Sequence, residues 1–170
     1  MSGAPDQGAL DPIAVRAFVR MVHDAAARAL EGAADPGVLQ LDFVGASGMG
    51  GLHSARFPIG AVDAMADRAI SAASDGLNVY VEGRTVEALA PRRGEASHTR
   101  GVFAFVNDSD GDKGKAGAMP LAPTWSVESS PGNRHDWIVL DRALTADEAE
   151  PLGRSLRKLI GSDSATAKLT

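Results

Sequence analysis

The 170-residue sequence contains no cysteine, one tyrosine and two tryptophans. Without cysteine, disulfides and thiolate metal sites are excluded. No apolar run approaches the roughly 18 residues that a membrane-spanning helix needs. The N-terminus also lacks the basic region and apolar core of a secretory signal. These absences predict a cytoplasmic protein without a membrane partner.

Positive charge is also scarce in this chain. Its 17 lysines and arginines stand against 22 aspartates and glutamates, which gives a formal net charge of −5. Proteins that bind nucleic acid tightly and without sequence preference are usually basic overall. The charge balance therefore disfavours nonspecific DNA binding by the whole surface, but it is compatible with a local basic groove.

The pattern of apolar residues predicts a single α+β domain over residues 11–170, preceded by a disordered segment over 1–10. Helical spacing predicts three helices, at 12–30, 61–76 and 145–161. Alternation and β-forming residues predict strands at 38–45, 52–60, 77–83, 125–128 and 135–140, and another that begins near Gly101. Residues 84–100 predict a loop or a weakly paired strand, and Pro151 predicts a kink or a late start of the third helix. This order of elements is typical of a mainly antiparallel sheet with helices packed on it.

Acidic residues follow the β-forming run in GVFAFVNDSDGDKGK, residues 101–115. Residues two apart on an extended strand face the same side, so Asp108 and Asp110 project together. Two such carboxylates suit Mg²⁺ or Mn²⁺ in phosphoryl transfer. A solvated acidic hairpin loop is an equally good interpretation of this motif alone. A calcium loop fits less well, because Lys113 takes the position of its glycine and Met119 that of its glutamate.

A second polar cluster lies in ESSPGNRH, residues 128–135. Gly132 and Asn133 allow a tight turn whose exposed amides suit a phosphate group. His135 begins the next strand, where its imidazole could contact a phosphate oxygen. A plain hairpin with an exposed histidine is the alternative. Asp163, after the last helix, is a third acidic candidate or an ordinary aspartate at a helix exit.

Basic residues are concentrated ahead of the acidic strand. The arginines that could follow a nucleic-acid backbone are Arg84, Arg92, Arg93 and Arg100. Glutamates are interleaved with them, so a solvated surface of mixed charge is an equally good interpretation.

Taken in order, these motifs resemble the archaeo-eukaryotic primase superfamily, in particular its RepB-like plasmid and phage primase domains. The matching stretches are FVNDSDGD for the paired acids, SSPGNRH for the Ser/His turn and LIGSD for the later acid. The likeness covers most of the chain from about Asp11 onward. It implies an α/β N-terminal module packed with an RRM-like, mainly antiparallel sheet module that carries the acids.

The resemblance also implies the activity of a DNA primase or primase-polymerase. Such domains are metal-dependent nucleotidyltransferases that make primers from NTPs or dNTPs on a single-stranded DNA template, during plasmid, phage or mobile-element replication. A replicative helicase domain on the same or a neighbouring chain would be a partner. The ligands of Mg²⁺ or Mn²⁺ would be Asp108, Asp110 and Asp163. The residues that bind the nucleotide would be Ser130, Asn133 and His135.

The sequence departs from the family pattern at Asn107 and Ser109, where apolar residues are common. Related chains continue past the last acid, which predicts a C-terminally truncated catalytic domain and leaves the activity of the isolated fragment open. Two alternatives to the primase interpretation remain: a non-catalytic replication module that binds single-stranded DNA or an origin, and a metal-dependent phosphodiesterase.

Overall fold

A computed structural model of the chain describes residues 10–45, 51–110, 119–130 and 133–161. The helices in this part are α1 (Pro12–Ala29), α2 (Val62–Ser74) and α3 (Ala146–Ile160), with a short 3₁₀-helix at Ala96–His98. The strands are β1 (Val38–Gly45), β2 (His53–Pro58), β3 (Leu77–Val81), β4 (Arg84–Val86), β5 (Thr99–Asp110), β6 (Trp125–Ser130) and β7 (Asn133–Leu144). None of the described helices is both long and apolar enough to cross a bilayer. The segment predicted to be disordered, 1–10, lies outside the described residues except for its last position.

Local capping determines where α1 and α3 begin. The Asp11 carboxylate accepts the backbone N–H of Ile13 at 2.9 Å, as expected of an N-cap. Thr145 and Glu148 form a reciprocal capping box at the start of α3. Pro151 lies inside α3, which begins at Ala146, so the late start is wrong.

All the strand pairings are antiparallel, and they join the seven strands into one sheet of order β2-β1-β4-β5-β7-β6, with β3 also paired to β1. The α+β class and the mainly antiparallel sheet are thereby confirmed. The segment 84–100 contains the short, fully buried strand β4, which lies between β1 and β5. The N-terminal strands and the strand that carries the acids therefore share one continuous sheet.

Helices α1 and α2 pack on one face of this sheet and form the core with it. Phe18 of α1 meets the ring of Trp137 edge-on at 5.5 Å, and Trp125 of β6 stacks on Trp137 at 5.7 Å. On β1, the alternate residues Leu41 and Phe43 are buried in the same core. The helix layer thus covers the face of β7 to which Trp137 belongs.

The sheet splits where β3 passes into β4. The Gly83 carbonyl accepts the backbone N–H groups of both Phe103 and Ala104, at 2.9 and 3.0 Å, so β5 bulges at this point. On the β3 side of Gly83 the two strands no longer pair with each other: β3 pairs with β1, and β5 pairs with β7. A cleft therefore opens between β3 and β5.

Candidate active site

The acidic strand and the histidine strand are direct neighbours in the sheet. In the register of β5 and β7, Asp108 lies opposite His135, and Asp110 lies opposite Asn133. Since side chains alternate along each strand, these four residues belong to one face of the sheet. The pairing brings together two clusters that are 20 or more residues apart in the chain.

Asp108 and His135 form the polar pair at the centre of this face. The His135 Nε2 lies 3.4 Å from the Asp108 Oδ1, and the two side chains are 34% and 40% exposed. Half-exposed groups remain accessible to a ligand. This separation is longer than a typical hydrogen bond.

A cavity of about 810 Å³ lies against this pair. Asp108 and His135 line one wall, and β3 with the N-terminal half of α1 lines the other. The apolar side of the cavity is formed by Leu10, Ala14, Val15, Phe18, Leu77, Val79 and Tyr80. Small-molecule sites have volumes of about 300–1,000 Å³ and combine apolar walls with a few polar groups, and this cleft has that character.

Several predicted site residues lie at or beyond the limit of the described structure. Backbone positions place Asp110 on β5 and Ser130 opposite Asn133 at the end of β6 and β7. Asp163 and Gly132 lie outside the described residues. The structure therefore brings together Asp108, His135 and the backbone positions of Asp110, Asn133 and Ser130.

The donor set suits an oxygen-seeking cation in part. Asp108 offers a half-exposed carboxylate, and the alternation of β5 puts Asp110 on the same face about 7 Å further along the strand. Among the described residues, no group of three or more acidic, histidine or cysteine side chains is assembled to hold a metal ion. Mg²⁺ and Mn²⁺ keep several waters and take one or two protein carboxylates plus substrate phosphates, so the Asp108 carboxylate has the chemistry of such a ligand.

The structure separates the four predicted DNA-binding arginines. Arg84 is 2% exposed and donates to the Glu82 carboxylate at 2.6 Å. Its side chain therefore lies in the interior and not on a surface that DNA could contact. Arg100 pairs with Asp35 at 2.7 Å and is the second residue of β5, about 26 Å along the strand from Asp108. Arg92 is exposed.

Arg93 belongs to a charged cluster at the closed end of the cleft, which sequence reasoning missed. Its guanidinium lies between the carboxylates of Asp42 and Glu82, at 3.2 Å from the Asp42 Oδ2. Asp42 is 1% exposed, and this burial raises the pKa of its carboxyl, although a hydrogen bond from Ser54 opposes the shift. The sequence signal for Asp42 was an acidic residue in the mostly apolar stretch VLQLDFVG. All three charged groups line the same cavity as Asp108.

No protein-family model matches the chain, and no curated protein matches its sequence. Solved structures do match its fold. The crystal structure of primase RepB′ has a TM-score of 0.55 and 18% identity, and the match covers 88% of this chain and 47% of that one. The chain thus spans about half the length of that primase. The AEP domain of the cyanophage S-2L primase-polymerase has a TM-score of 0.61 and 12% identity, with 95% of this chain and 79% of that chain covered.

This chain has the fold of an archaeo-eukaryotic primase. A third match is the catalytic domain of primase RepB′ in complex with initiator DNA, with a TM-score of 0.52, 21% identity, and 86% and 71% of the two chains covered. The primase-type fold confirms the resemblance inferred from the order of the motifs.

Proposed function

We propose that this domain is the nucleotidyltransferase domain of a DNA primase or primase-polymerase, which makes primers on single-stranded DNA. The observation that supports the proposal best is the cross-strand pair of Asp108 and His135, half-exposed at a large cavity in a primase-type fold. A decorative acidic hairpin would not require Asp108 to lie beside a histidine in the wall of a cavity.

Each residue has a role that its chemistry allows. Asp108 and Asp110 would hold Mg²⁺ or Mn²⁺, with Asp163 as a third ligand. When bound, the metal would neutralise phosphate charge and favour ionisation of an attacking 3′-hydroxyl. His135, beside Asp108, would donate to a phosphate oxygen of the incoming nucleotide. Asn133, opposite Asp110, would orient the same phosphates, together with Ser130.

The DNA template would approach from the open side of the cleft. The RepB′ catalytic domain is known in complex with initiator DNA, and by analogy we expect single-stranded DNA to be a partner of this chain. Of the four arginines, Arg92 is exposed and Arg93 lines the cleft, so these two are the better candidates for backbone contacts. A replicative helicase partner stays a prediction.

Calorimetric titration of dATP and ATP, with and without Mn²⁺, tests the catalytic proposal. We expect metal-dependent binding to the native chain and its loss in the double variant Asp108→Ala/Asp110→Ala. The matched control is Asp141→Ala, which removes an exposed carboxylate from β7. A primer-synthesis assay on circular single-stranded DNA then tests the transfer reaction itself.

The outcomes separate the alternatives. DNA binding that needs no metal and survives the double substitution, without nucleotide binding, would favour a non-catalytic replication module. Metal-dependent degradation of DNA without nucleotide incorporation would favour a phosphodiesterase.

A further inference from the structure

A buried polar layer lies on the opposite face of the sheet, directly behind Asp108 and His135. Its members are Asn107, Ser109 and Asp136, which are 0%, 3% and 0% exposed. Asn107 and Ser109 flank Asp108 on β5, while Asp136 follows His135 on β7 and lies opposite Asn107. Adjacent residues on a strand face opposite sides, so each of these groups is one residue away from the candidate site in sequence but faces away from it.

The Asp136 carboxylate connects the three strands of this half of the sheet. It accepts hydrogen bonds from the hydroxyl of Ser126 on β6 and, at 3.4 Å, from that of Ser109 on β5. The Nε of Arg134, on its own strand β7, lies 3.0 and 3.1 Å from its two oxygens. The amide of Asn107 donates to the Ser109 hydroxyl at 2.8 Å and extends the network.

The network also accounts for a peculiarity of this sequence. Asn107 and Ser109 are polar residues that follow the apolar run Val102–Val106 of the same strand, and both are buried. Both join the Asp136 network. Apolar residues would fill the same space, but they would not fix one strand against another with directional bonds. A buried carboxylate is costly unless it is paired and hydrogen-bonded, so such a group holds its neighbours to a narrow set of positions.

We propose that Asp136 is a positioning residue for the candidate active site. Through Ser109 and Ser126 it holds β5 and β6 in register with β7, and it thereby sets the separation of Asp108 and His135 on the other face. Only the expected effect of Asp136 on nucleotide affinity rests on the proposed function. The expected effect on the separation of Asp108 and His135 does not depend on it.

The test compares Asp136→Asn with the native chain. Asparagine keeps the shape and one acceptor oxygen but removes the charge that pairs with Arg134. The matched control, Asp141→Asn, makes the same chemical change at an exposed position of the same strand. Circular dichroism at a temperature well below the unfolding midpoint of every variant confirms that each is folded.

Two measurements are then made on the folded proteins. The first is the affinity for Mn²⁺–dATP, which we expect Asp136→Asn to weaken about 10- to 100-fold, as is typical when a residue behind a metal ligand is lost. The second is the NOE signal between the His135 ring and the Asp108 side chain in the metal-free protein, which reports their separation and which we expect to change in Asp136→Asn. Asp141→Asn should change neither.

A purely structural role would give a different result. Asp136→Asn would then lower the unfolding midpoint while leaving both the nucleotide affinity and the NOE signal as in the native chain, and this outcome would overturn the proposal. If the native chain itself binds no nucleotide, the proposed function fails, and the NOE signal alone decides whether Asp136 positions the pair.

Discussion

Replacing Gly83 by alanine is expected to disrupt the junction from which the cleft opens. A Cβ at this position would lie 2.1 Å from the carbonyl oxygen of Ala104 and 2.8 Å from its carbonyl carbon. Both are backbone atoms of a central strand, so they cannot move aside as the end of a flexible side chain can. The alanine variant must therefore push β5 away from the junction.

The size of the effect follows from two terms. Overpacking a well-packed interior typically costs about 1–3 kcal/mol. The same displacement weakens the hydrogen bonds from the amides of Phe103 and Ala104 to the Gly83 carbonyl, each worth about 0.5–1.5 kcal/mol net. We expect Gly83→Ala to lower the free energy of unfolding by about 2–5 kcal/mol, a large share of the 5–15 kcal/mol typical of a domain.

Urea unfolding followed by circular dichroism measures this difference. The control is Gly76→Ala, at a glycine with φ +77° and no neighbouring atom within 4 Å, where only backbone strain of about 1–2 kcal/mol is expected. If Gly83→Ala costs no more than Gly76→Ala, the close approach of the Ala104 backbone does not determine the junction, and the reasoning is wrong. A folded Gly83→Ala variant should also bind Mn²⁺–dATP more weakly, because the wall that carries Asp108 is displaced.

Two further predictions concern the buried residues His23 and Arg84. Burial lowers the pKa of His23, whose Nδ1 accepts the Gly60 N–H at 2.9 Å. His23 therefore binds a proton near pH 6.5 in the unfolded chain, but only at a lower pH in the folded chain. Its contribution to the free energy of unfolding is complete above pH 6.5 and falls as the pH drops toward the folded pKa. Urea midpoints at pH 7.5 and 5.5 should differ less in His23→Gln than in the native chain, and an equal difference would show that His23 does not titrate in this way. For Arg84→Ala, thermal unfolding should report a loss of about 3–5 kcal/mol, because the interior loses a buried guanidinium that pairs with Glu82 and donates to the carbonyls of Gly94 and Glu95. The exposed Arg154→Ala should have a much smaller effect. Similar losses in the two variants would mean that the Arg84 pair contributes little.

Sequence reasoning located the elements well because their signals are local. The N-cap at Asp11 and the capping box of Thr145 and Glu148 act within one turn of their helices, so their residue types are enough to recognise them. The late start of the third helix was wrong because that capping box begins the helix ahead of Pro151.

The arginines show the limit of such reasoning. Arg84 and Arg92 have the same chemistry and lie in the same polar stretch of sequence. One is buried against Glu82 and the other is exposed, because β4 enters the middle of the sheet and the segment after it does not. Burial is a property of the packed sheet, and no local pattern distinguishes the two residues.

The sequence by itself determined that a strand carries Asp108 and Asp110 on one side, since alternation is inherent in extended backbone. It also determined the α+β class and the order of the helices. Only the tertiary structure decided that Asp108 faces His135, because that depends on the register of β5 and β7. The same holds for the cleft, which exists because the backbone of Ala104 approaches Gly83 and β3 then separates from β5. Register and strand separation arise from contacts between residues far apart in the chain. Such contacts produce no periodic pattern of residue types from which they could be predicted.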